Sequence, residues 1–357
     1  MVYPQFIPDP LCYVPINPDL KCGEEWTTVA YGSENDDYDD DHRSPITFHM
    51  TLPPKKQHRA AGDVAARLNF NCRDKSSGVL LPSEPIAQSK SSEDDEHMGD
   101  PFFFHDGYYL EAKTGFQPWP GTRLMVEAFT LHTFERMRHW QTRLASGNLN
   151  ILEVGAGVGI VGISLAALGG CVLITDLPVL VEHSIRPNLR RNRCIENEDD
   201  DNFERHCGVT NHDNFFLQSE ERSSNGNGTT QAVVLDWFKP ISEQLPRATS
   251  SAIEVIIGCD CMWMSKLVEP LLEVVSTIFQ HYLSNITSTT TTTRTQPSFF
   301  FTYQRRNQSG VFIGLEELLA RIKQRGWNVD CVSWRTIYDK EEGNHELYLF
   351  EVTPANS

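Results

Sequence analysis

A glycine-rich turn after a short apolar run is the feature that most constrains how this chain can fold. The apolar run occupies 150–154 (NILEV), and the turn after it occupies 155–159 (GAGVG). A second apolar run, 171–175, ends at Asp176. Glycines let the backbone turn sharply and approach a ligand, and ligands of open α/β sheets bind at the carboxyl ends of strands. The pattern therefore predicts a ligand site here, with Asp176 placed to accept hydrogen bonds from ribose hydroxyls.

The glycine-rich turn is compatible with more than one ligand. Gly157, Gly159 and Gly162 satisfy the G-x-G-x-x-G fingerprint of dinucleotide sites, and the spacing to Asp176 suits NAD equally. Glu153, directly before the turn, favours S-adenosylmethionine, because its carboxylate can meet a cationic amino-acid group and would repel a pyrophosphate. A purely structural glycine turn is a third interpretation at this point.

The order of apolar segments along the chain predicts an α/β fold. A long helix is expected over about 121–145 and another over 160–168, with a later helix broken at Pro187. Alternating strands and helices predict parallel strands with right-handed crossovers. Further strands are expected at 232–235, 255–257, 299–301, 329–334 and 347–352, and further helices at 267–278 and 315–322.

The last two predicted strands are too close in sequence for a helical crossover between them. We therefore expect an antiparallel hairpin over 329–352. The predicted fold is an α/β, Rossmann-like, seven-stranded mixed sheet, mostly parallel with a C-terminal antiparallel hairpin, and with helices on both faces. An all-parallel dinucleotide-binding sheet lacks such a hairpin, which again favours S-adenosylmethionine over a nicotinamide.

The chain divides into an irregular first part and an organised second part. Residues 1–100 are expected to form an N-terminal extension, largely irregular or disordered, with one short strand over 45–51. Residues 101–357 are expected to form the α/β domain. Polar insertions are expected near 196–230 and 285–297, the second of them rich in threonine.

Charge and composition limit the partners. The formal net charge of −17 argues against nucleic acid, because phosphate binding needs a basic surface, and it suits a basic protein. No run approaches the roughly 20 apolar residues of a membrane span, so no membrane partner is expected. The nine cysteines include no C-x-x-C pair, so no metal site is expected and the thiols should be reduced. A cytoplasmic location is expected, a nuclear one stays open, and the oligomeric state is undetermined.

Four motifs in order resemble those of a known family. They are TGFQPWP at 114–120, EVGAGVG at 153–159, LDW at 235–237 and GCDCMW at 258–263. Over roughly 102–352 the chain resembles the seven-β-strand (class I) methyltransferases. Within them it resembles methyltransferase family 16, which is rich in protein lysine methyltransferases.

The resemblance implies an S-adenosylmethionine-dependent enzyme that methylates a lysine of a basic partner protein. Trp237 can pack its ring against the adenine, and Trp119 can wall the methionine end of the cofactor. The residues that the resemblance places against the cofactor are Trp119, Gly155, Ala156, Gly157, Asp176, Trp237 and Cys259.

Asp260 and Trp263 are the candidate catalytic residues. A carboxylate beside the reacting methyl group can orient the acceptor amine and stabilise the charge that develops on nitrogen. The alternative role of Asp260 is to cap the strand end. Trp263 stands where the family has a tyrosine, so the hydroxyl is missing. This departure leaves open another acceptor side chain, a small-molecule acceptor, or an interaction protein that binds the cofactor without turnover.

Overall fold

Two β-sheets are present in the part of the chain that the computed structural model describes. The described residues are 4–16, 46–51, 67–72, 115, 118–192, 228–286, 295–305, 312–339 and 343–355. The strands are β1 (Ile46–Thr51), β2 (Arg67–Cys72), β3 (Asn150–Val154), β4 (Cys171–Asp176), β5 (Thr229–Val234), β6 (Val255–Cys259), β7 (Ser298–Gln304), β8 (Trp327–Asp339) and β9 (Gly343–Pro354). The helices are α1 (Pro120–Thr130), α2 (Arg138–Ala145), α3 (Ile160–Ala167), α4 (Pro178–Leu180), α5 (Arg186–Arg191), α6 (Ile241–Gln244), α7 (Arg247–Ala252), α8 (Ser265–Ile286) and α9 (Leu315–Gln324).

The larger sheet contains seven strands in the order β5-β4-β3-β6-β7-β9-β8. The first five of these pair in parallel, whereas β9 is antiparallel to both β7 and β8. The chain builds outward from β3 in one direction through β4 and β5, and then in the other direction from β6. Ligands of open α/β sheets bind where the strand order reverses in this way. The predicted Rossmann-like mixed sheet with its C-terminal hairpin is confirmed.

Helices cover both faces of this sheet, because its central strands are apolar on both sides. Ile151 belongs to the core cluster that includes α1 and α3, and its neighbour Leu152 belongs to the cluster that includes α8 and α9. Successive strand residues point to opposite faces, so a continuous apolar run supplies both clusters at once.

The single helix predicted over 121–145 is two helices. Helix α1 ends at Thr130, and Leu131 is extended. The side-chain amide of Gln141, in α2, donates hydrogen bonds to the carbonyls of Ala128 (2.7 Å) and Leu131 (2.8 Å). The last carbonyls of a helix have no partner within it, so Gln141 stabilises the break. The chain is not broken at Pro187 as predicted, since helical residues continue from Pro178 to Arg191, and the irregularity is the π-helical stretch Val181–Ile185 just before it.

The N-terminal extension contains a hairpin and not one short strand. Strand β1 pairs antiparallel with β2, and Ile46 faces Cys72. Leu68 and Phe70 of β2 are buried in the core cluster on one face of the larger sheet, and β2 packs against α5. The prediction missed β2 because its two apolar residues alternate with polar ones over only six positions.

Residues 4–16 also lie against the larger sheet. The ring of Phe6 packs edge-on against Tyr348 (5.8 Å between centroids) and Phe350 (5.6 Å) of β9. The N–H of Val14 donates to the carbonyl of Trp334 (2.9 Å) on the edge strand β8. Most of the insertion predicted near 285–297 and most of the one near 196–230 lie outside the described residues, while 285–286 belong to α8 and 229–230 to β5. The proposed division at 100/101 also lies outside them and stays a prediction.

No helix of the described segments is both long and apolar enough to cross a membrane.

Candidate functional site

The glycine turn between β3 and α3 admits no side chain at two positions. Gly155 has φ 62° and Gly157 has φ 55°, in the left-handed region that favours glycine. A Cβ on Gly155 would lie 2.9 Å from the ring of Trp237, and one on Gly157 would lie 2.7 Å from the carbonyl oxygen of Gly115. The N–H of Ala156, between them, donates to the carbonyl of Thr175 (3.1 Å). The turn is therefore fixed against the ends of β4 and β5.

Asp176 ends β4 and holds the glycine turn. Its Oδ2 accepts a hydrogen bond from the N–H of Gly157 (2.7 Å), and its Oδ1 accepts one from the N–H of Leu177 (2.7 Å). Burial raises the pKa of Asp176 to about 6. Each carboxylate oxygen can accept a further hydrogen bond, so Asp176 can anchor the turn and still receive two ligand hydroxyls.

Glu153 lies beneath the turn rather than at its rim. Its side chain is 2% exposed, and its Oε2 accepts a hydrogen bond from the N–H of Gly162 (2.9 Å) in the first turn of α3. Burial, with repulsion from Asp176, raises the pKa of Glu153 to about 8. The observed role of Glu153 is to fix the start of α3. Its contact with a cationic cofactor group stays a prediction.

Replacing Glu153 by glutamine should remove a pH dependence of stability. The ordinary pKa of 4.5 applies to Glu153 in the unfolded chain, and the folded pKa is about 8. Between these values only the unfolded state is ionised, so the free energy of unfolding of the wild type falls as pH rises. Glu153 should contribute about 1 kcal/mol to the fall between about pH 6.5 and about pH 7.5, and this contribution should be absent from Glu153→Gln, whose amide oxygen still accepts from Gly162.

Urea unfolding at both pH values measures this difference. The matched control is Glu135→Gln, at a side chain that is 82% exposed. An equal fall in the wild type and in Glu153→Gln would show that Glu153 is ionised in the folded chain.

Trp237 closes the site from the end of β5. The N–H of Leu235 donates to the carbonyl of Asp176 (3.0 Å), which ties this segment to β4. The side-chain amide of Gln244 holds the backbone of Asp236, the residue before Trp237. Its Oε1 accepts a hydrogen bond from the N–H of Asp236 (2.7 Å), and its Nε2 donates one to the carbonyl of Asp236 (2.8 Å). Trp237 is partly exposed, so one part of its ring covers Gly155 and another can contact a ligand. No motif in the sequence points to Gln244.

Asp260 follows β6 and joins three elements. It has φ 51°, and among the described residues it is the only non-glycine with a positive φ, a strained conformation that is common at functional sites. Its Oδ2 accepts a hydrogen bond from the N–H of Gly121 (2.8 Å) in α1, and its own N–H donates to Oγ1 of Thr302 (3.1 Å) in β7. A Cβ on Gly121 would lie 2.4 Å from Oδ2 of Asp260, so this close approach requires glycine.

The remaining predicted residues lie at the same edge of the sheet. Trp119 is the N-cap of α1, and only Pro120 separates it from Gly121. Cys259 is the last residue of β6, and burial beside the acids Glu153 and Asp260 raises the pKa of its thiol well above the ordinary value. The Cys259 thiol therefore stays protonated and is no nucleophile.

Asp260 and Trp263 border one narrow space at the ends of β6 and β7. The described residues that line it are Asp260, Met262, Trp263, Thr302, Tyr303 and Gln304. The described residues contain no cluster of His, Cys, Asp and Glu side chains suited to a metal ion. The site thus consists of the glycine turn with Asp176 and the ring of Trp237, next to Asp260 and Trp263 at the ends of β6 and β7.

Comparison with known proteins places this site in a recognised class. A family model described as lysine methyltransferase matches residues 111–201. This match includes the glycine turn and Asp176, and it confirms the resemblance found in the sequence motifs. The matching family supports an S-adenosylmethionine-dependent methyltransferase.

At low identity the chain is also similar to several solved structures. Magnesium protoporphyrin IX methyltransferase (ChlM) from Synechocystis with bound SAH is 10% identical, with 67% of this chain and 89% of that chain covered and a TM-score of 0.35. TYW2 from P. horikoshii in complex with MeSAdo is 10% identical, with 67% and 65% covered and a TM-score of 0.36. A TehB-like SAM-dependent methyltransferase from Corynebacterium glutamicum is 13% identical, with 63% and 98% covered and a TM-score of 0.32. No curated protein matches.

Proposed function

We propose that this protein uses S-adenosylmethionine to methylate a lysine side chain of another protein. The observation that carries the proposal is the arrangement at the switch point of the sheet. There the N–H of Gly157 in the glycine turn donates to Asp176 at the end of β4, and the ring of Trp237, which follows β5, packs against Gly155. Lysine as the acceptor is supported by the description of the matching family, and the net charge of −17 suits a basic partner.

The residues present fit the proposed cofactor. The positions at Gly155 and Gly157 have no room for a Cβ, because Trp237 and the Gly115 carbonyl lie against them, so the turn is held in one conformation beside Asp176 and Trp237. The Asp176 carboxylate has two acceptor positions left for ribose hydroxyls, and the exposed part of the Trp237 ring offers a flat apolar surface for adenine. When bound, S-adenosylmethionine supplies a sulfonium methyl group.

Asp260 is the proposed group on the acceptor side. Its carboxylate is fixed by Gly121 and is held beside β7 through Thr302. A fixed carboxylate can accept a hydrogen bond from the acceptor amine, orient its lone pair and stabilise the positive charge that develops on nitrogen. Asp260 therefore positions the nucleophile, while the cofactor site positions the methyl group.

Trp237→Ala should weaken the binding of S-adenosylhomocysteine about tenfold, through the loss of ring contact and buried area. Calorimetric titration measures the dissociation constant. The control is Trp327→Ala. Trp327 is the first residue of β8, and it packs against Phe279 and Arg325, away from the site. Equal binding by the wild type and Trp237→Ala would remove Trp237 from the cofactor site, and no binding by the wild type would refute the proposed function.

Incubation with a cell lysate and methyl-labelled S-adenosylmethionine tests the acceptor. The expected result is label on a lysine of a protein, located by mass spectrometry, and less of it with Trp237→Ala than with Trp327→Ala. Label on another side chain or on a small molecule would correct the acceptor class. Binding of S-adenosylhomocysteine with no labelled product would favour an interaction protein without turnover.

A further inference from the structure

The segment 177–191, which follows β4, runs back against the second half of the glycine turn. The side-chain amide of Asn188 in α5 donates a hydrogen bond from Nδ2 to the carbonyl of Val158 (3.1 Å). A Cβ on Gly159 would lie 3.5 Å from Cγ2 of Ile185. Asn188 and Ile185 are both 0% exposed. Because residues three positions apart on a helix are neighbours on its surface, one helix face contacts the turn.

The π-helical stretch Val181–Ile185 sets the register of this segment. The N–H of Arg186 donates to the carbonyl five positions before it. Leu180, directly before the stretch, packs against Gly115, where a Cβ would lie 2.4 Å from Cδ1 of Leu180, and Gly115 itself lies against the turn. Positions five apart on an α-helix point about 140° away from each other, whereas π-helical hydrogen bonding brings them to the same side. The stretch therefore aligns Leu180 and Ile185 towards the turn.

The glycine turn is thus held by polar groups from both ends of the same part of the chain. Directly before the segment, the Asp176 carboxylate accepts from the N–H of Gly157 (2.7 Å), and near its end Asn188 donates to Val158. A glycine backbone has a wide choice of conformations, so these two contacts restrict a turn that its own residues leave free. Val158 is 2% exposed, and a buried carbonyl without a donor is costly.

We propose that Asn188 is a positioning residue for the cofactor site, which holds the Val158 carbonyl from an α5 that the π-helical stretch places in register. The inference rests on the proposed function, because the turn is held in place for S-adenosylmethionine. Asn188 is fully buried, so it acts through the turn and not by direct contact with a ligand. Loss of its amide should let the turn leave the conformation beside Asp176.

Replacing Asn188 by leucine removes the donor and keeps a side chain of similar size. Asn188→Leu should bind S-adenosylhomocysteine about fivefold more weakly than the wild type, the loss expected for one neutral hydrogen bond. The matched control is Asn192→Leu, one helical turn later, where the amide donates to the carbonyl of Asn188 (2.9 Å) within the same helix. Asn192→Leu should bind as the wild type does. Calorimetric titration measures each dissociation constant, and urea unfolding shows that each variant is folded.

The pH profile of binding separates positioning from a general loss of stability. The hydrogen bond from Gly157 lowers the pKa of Asp176, which burial raises to about 6. A looser turn weakens this hydrogen bond, so the pKa of Asp176 should rise and the acid-side loss of affinity should begin at higher pH in Asn188→Leu. The neighbouring Glu153 and Cys261 have raised pKa values and stay protonated in this range. A variant that is only less stable keeps the profile of the wild type.

Two results would overturn this inference while the wild type binds S-adenosylhomocysteine. One is an unchanged affinity and pH profile in folded Asn188→Leu, and the other is an equal loss in Asn192→Leu. If Asn188→Leu does not fold, Asn188→Ala takes its place, since it removes the donor without adding bulk, and undiminished binding there overturns the inference. Absence of binding by the wild type is a different outcome, because it refutes the proposed function itself.

Discussion

Replacing Asp176 by alanine should weaken the binding of S-adenosylhomocysteine by about 100- to 10,000-fold. The substitution removes a carboxylate that is placed to accept hydrogen bonds from two ribose hydroxyls. Each hydrogen bond to a charged group contributes roughly 1.5–3 kcal/mol. The substitution also removes the acceptor that holds the N–H of Gly157 (2.7 Å), so the glycine turn should lose part of its order in the free protein. Calorimetric titration measures the loss directly.

Two further variants test whether the loss of binding is specific to the carboxylate of Asp176. Asp330→Ala changes an exposed aspartate on β8 and should bind S-adenosylhomocysteine as tightly as the wild type. Asp176→Asn should lie between alanine and the wild type, because an amide keeps one acceptor oxygen and loses the charge. Undiminished binding by a folded Asp176→Ala variant would place the ribose elsewhere.

The pH dependence of binding should follow the same carboxylate. Burial raises the pKa of Asp176 to about 6 in the free protein, so the group gains a proton as pH falls through that value. A protonated carboxyl is a poorer acceptor than a carboxylate, and the affinity for S-adenosylhomocysteine should fall on the acid side.

The central strands were predictable because each is a short apolar run with a clear end. The first run ends at Val154, where the glycine turn begins. The next run, 171–175, is followed directly by the charged residue Asp176. The hairpin of β8 and β9 was predictable because the connection between the two strands is too short for a helical crossover. The break between α1 and α2 could not be predicted in this way, because it depends on Gln141 reaching back to the carbonyls of Ala128 and Leu131.

The predicted site residues come together for a simple geometric reason. The carboxyl ends of parallel strands share one edge of a sheet, so residues that follow β3, β4, β5 and β6 must meet there. The contacts of Asp260 with Gly121 and Thr302 were not predictable, since they join positions far apart in sequence. Local sequence patterns predict strand ends and turns, but they do not predict which side chains form hydrogen bonds between distant parts of the fold.

A buried group of charges was also hidden from the sequence, because Arg335 lies on an edge strand where an exposed side chain is expected. Arg335 is 1% exposed and Glu127 is 0% exposed. Oε2 of Glu127 accepts a hydrogen bond from Nη2 of Arg335, and Oε1 accepts one from Nε of Arg123 (2.8 Å). This ion cluster joins α1, whose first turn contacts Asp260, to β8.

Replacing Glu127 by alanine should lower the free energy of unfolding by about 3–5 kcal/mol. The substitution leaves the guanidinium of Arg335 buried without its counter-charge, and desolvation of an unpaired charge is costly. Arg123 adds less to the loss, since its side chain is 13% exposed and can turn towards water. Urea unfolding of the purified variant measures the change.

The double variant Glu127→Met with Arg335→Leu distinguishes an unpaired charge from lost packing. Apolar side chains of similar size remove both charges together, so the double variant should be more stable than Glu127→Ala. Glu135→Ala, which removes an exposed ion pair with Arg138, should change the free energy of unfolding by less than about 1 kcal/mol. A cost for Glu127→Ala as small as that of Glu135→Ala would mean that water reaches Arg335 once its partner is gone. In that case α1 would be held in place by its apolar face alone.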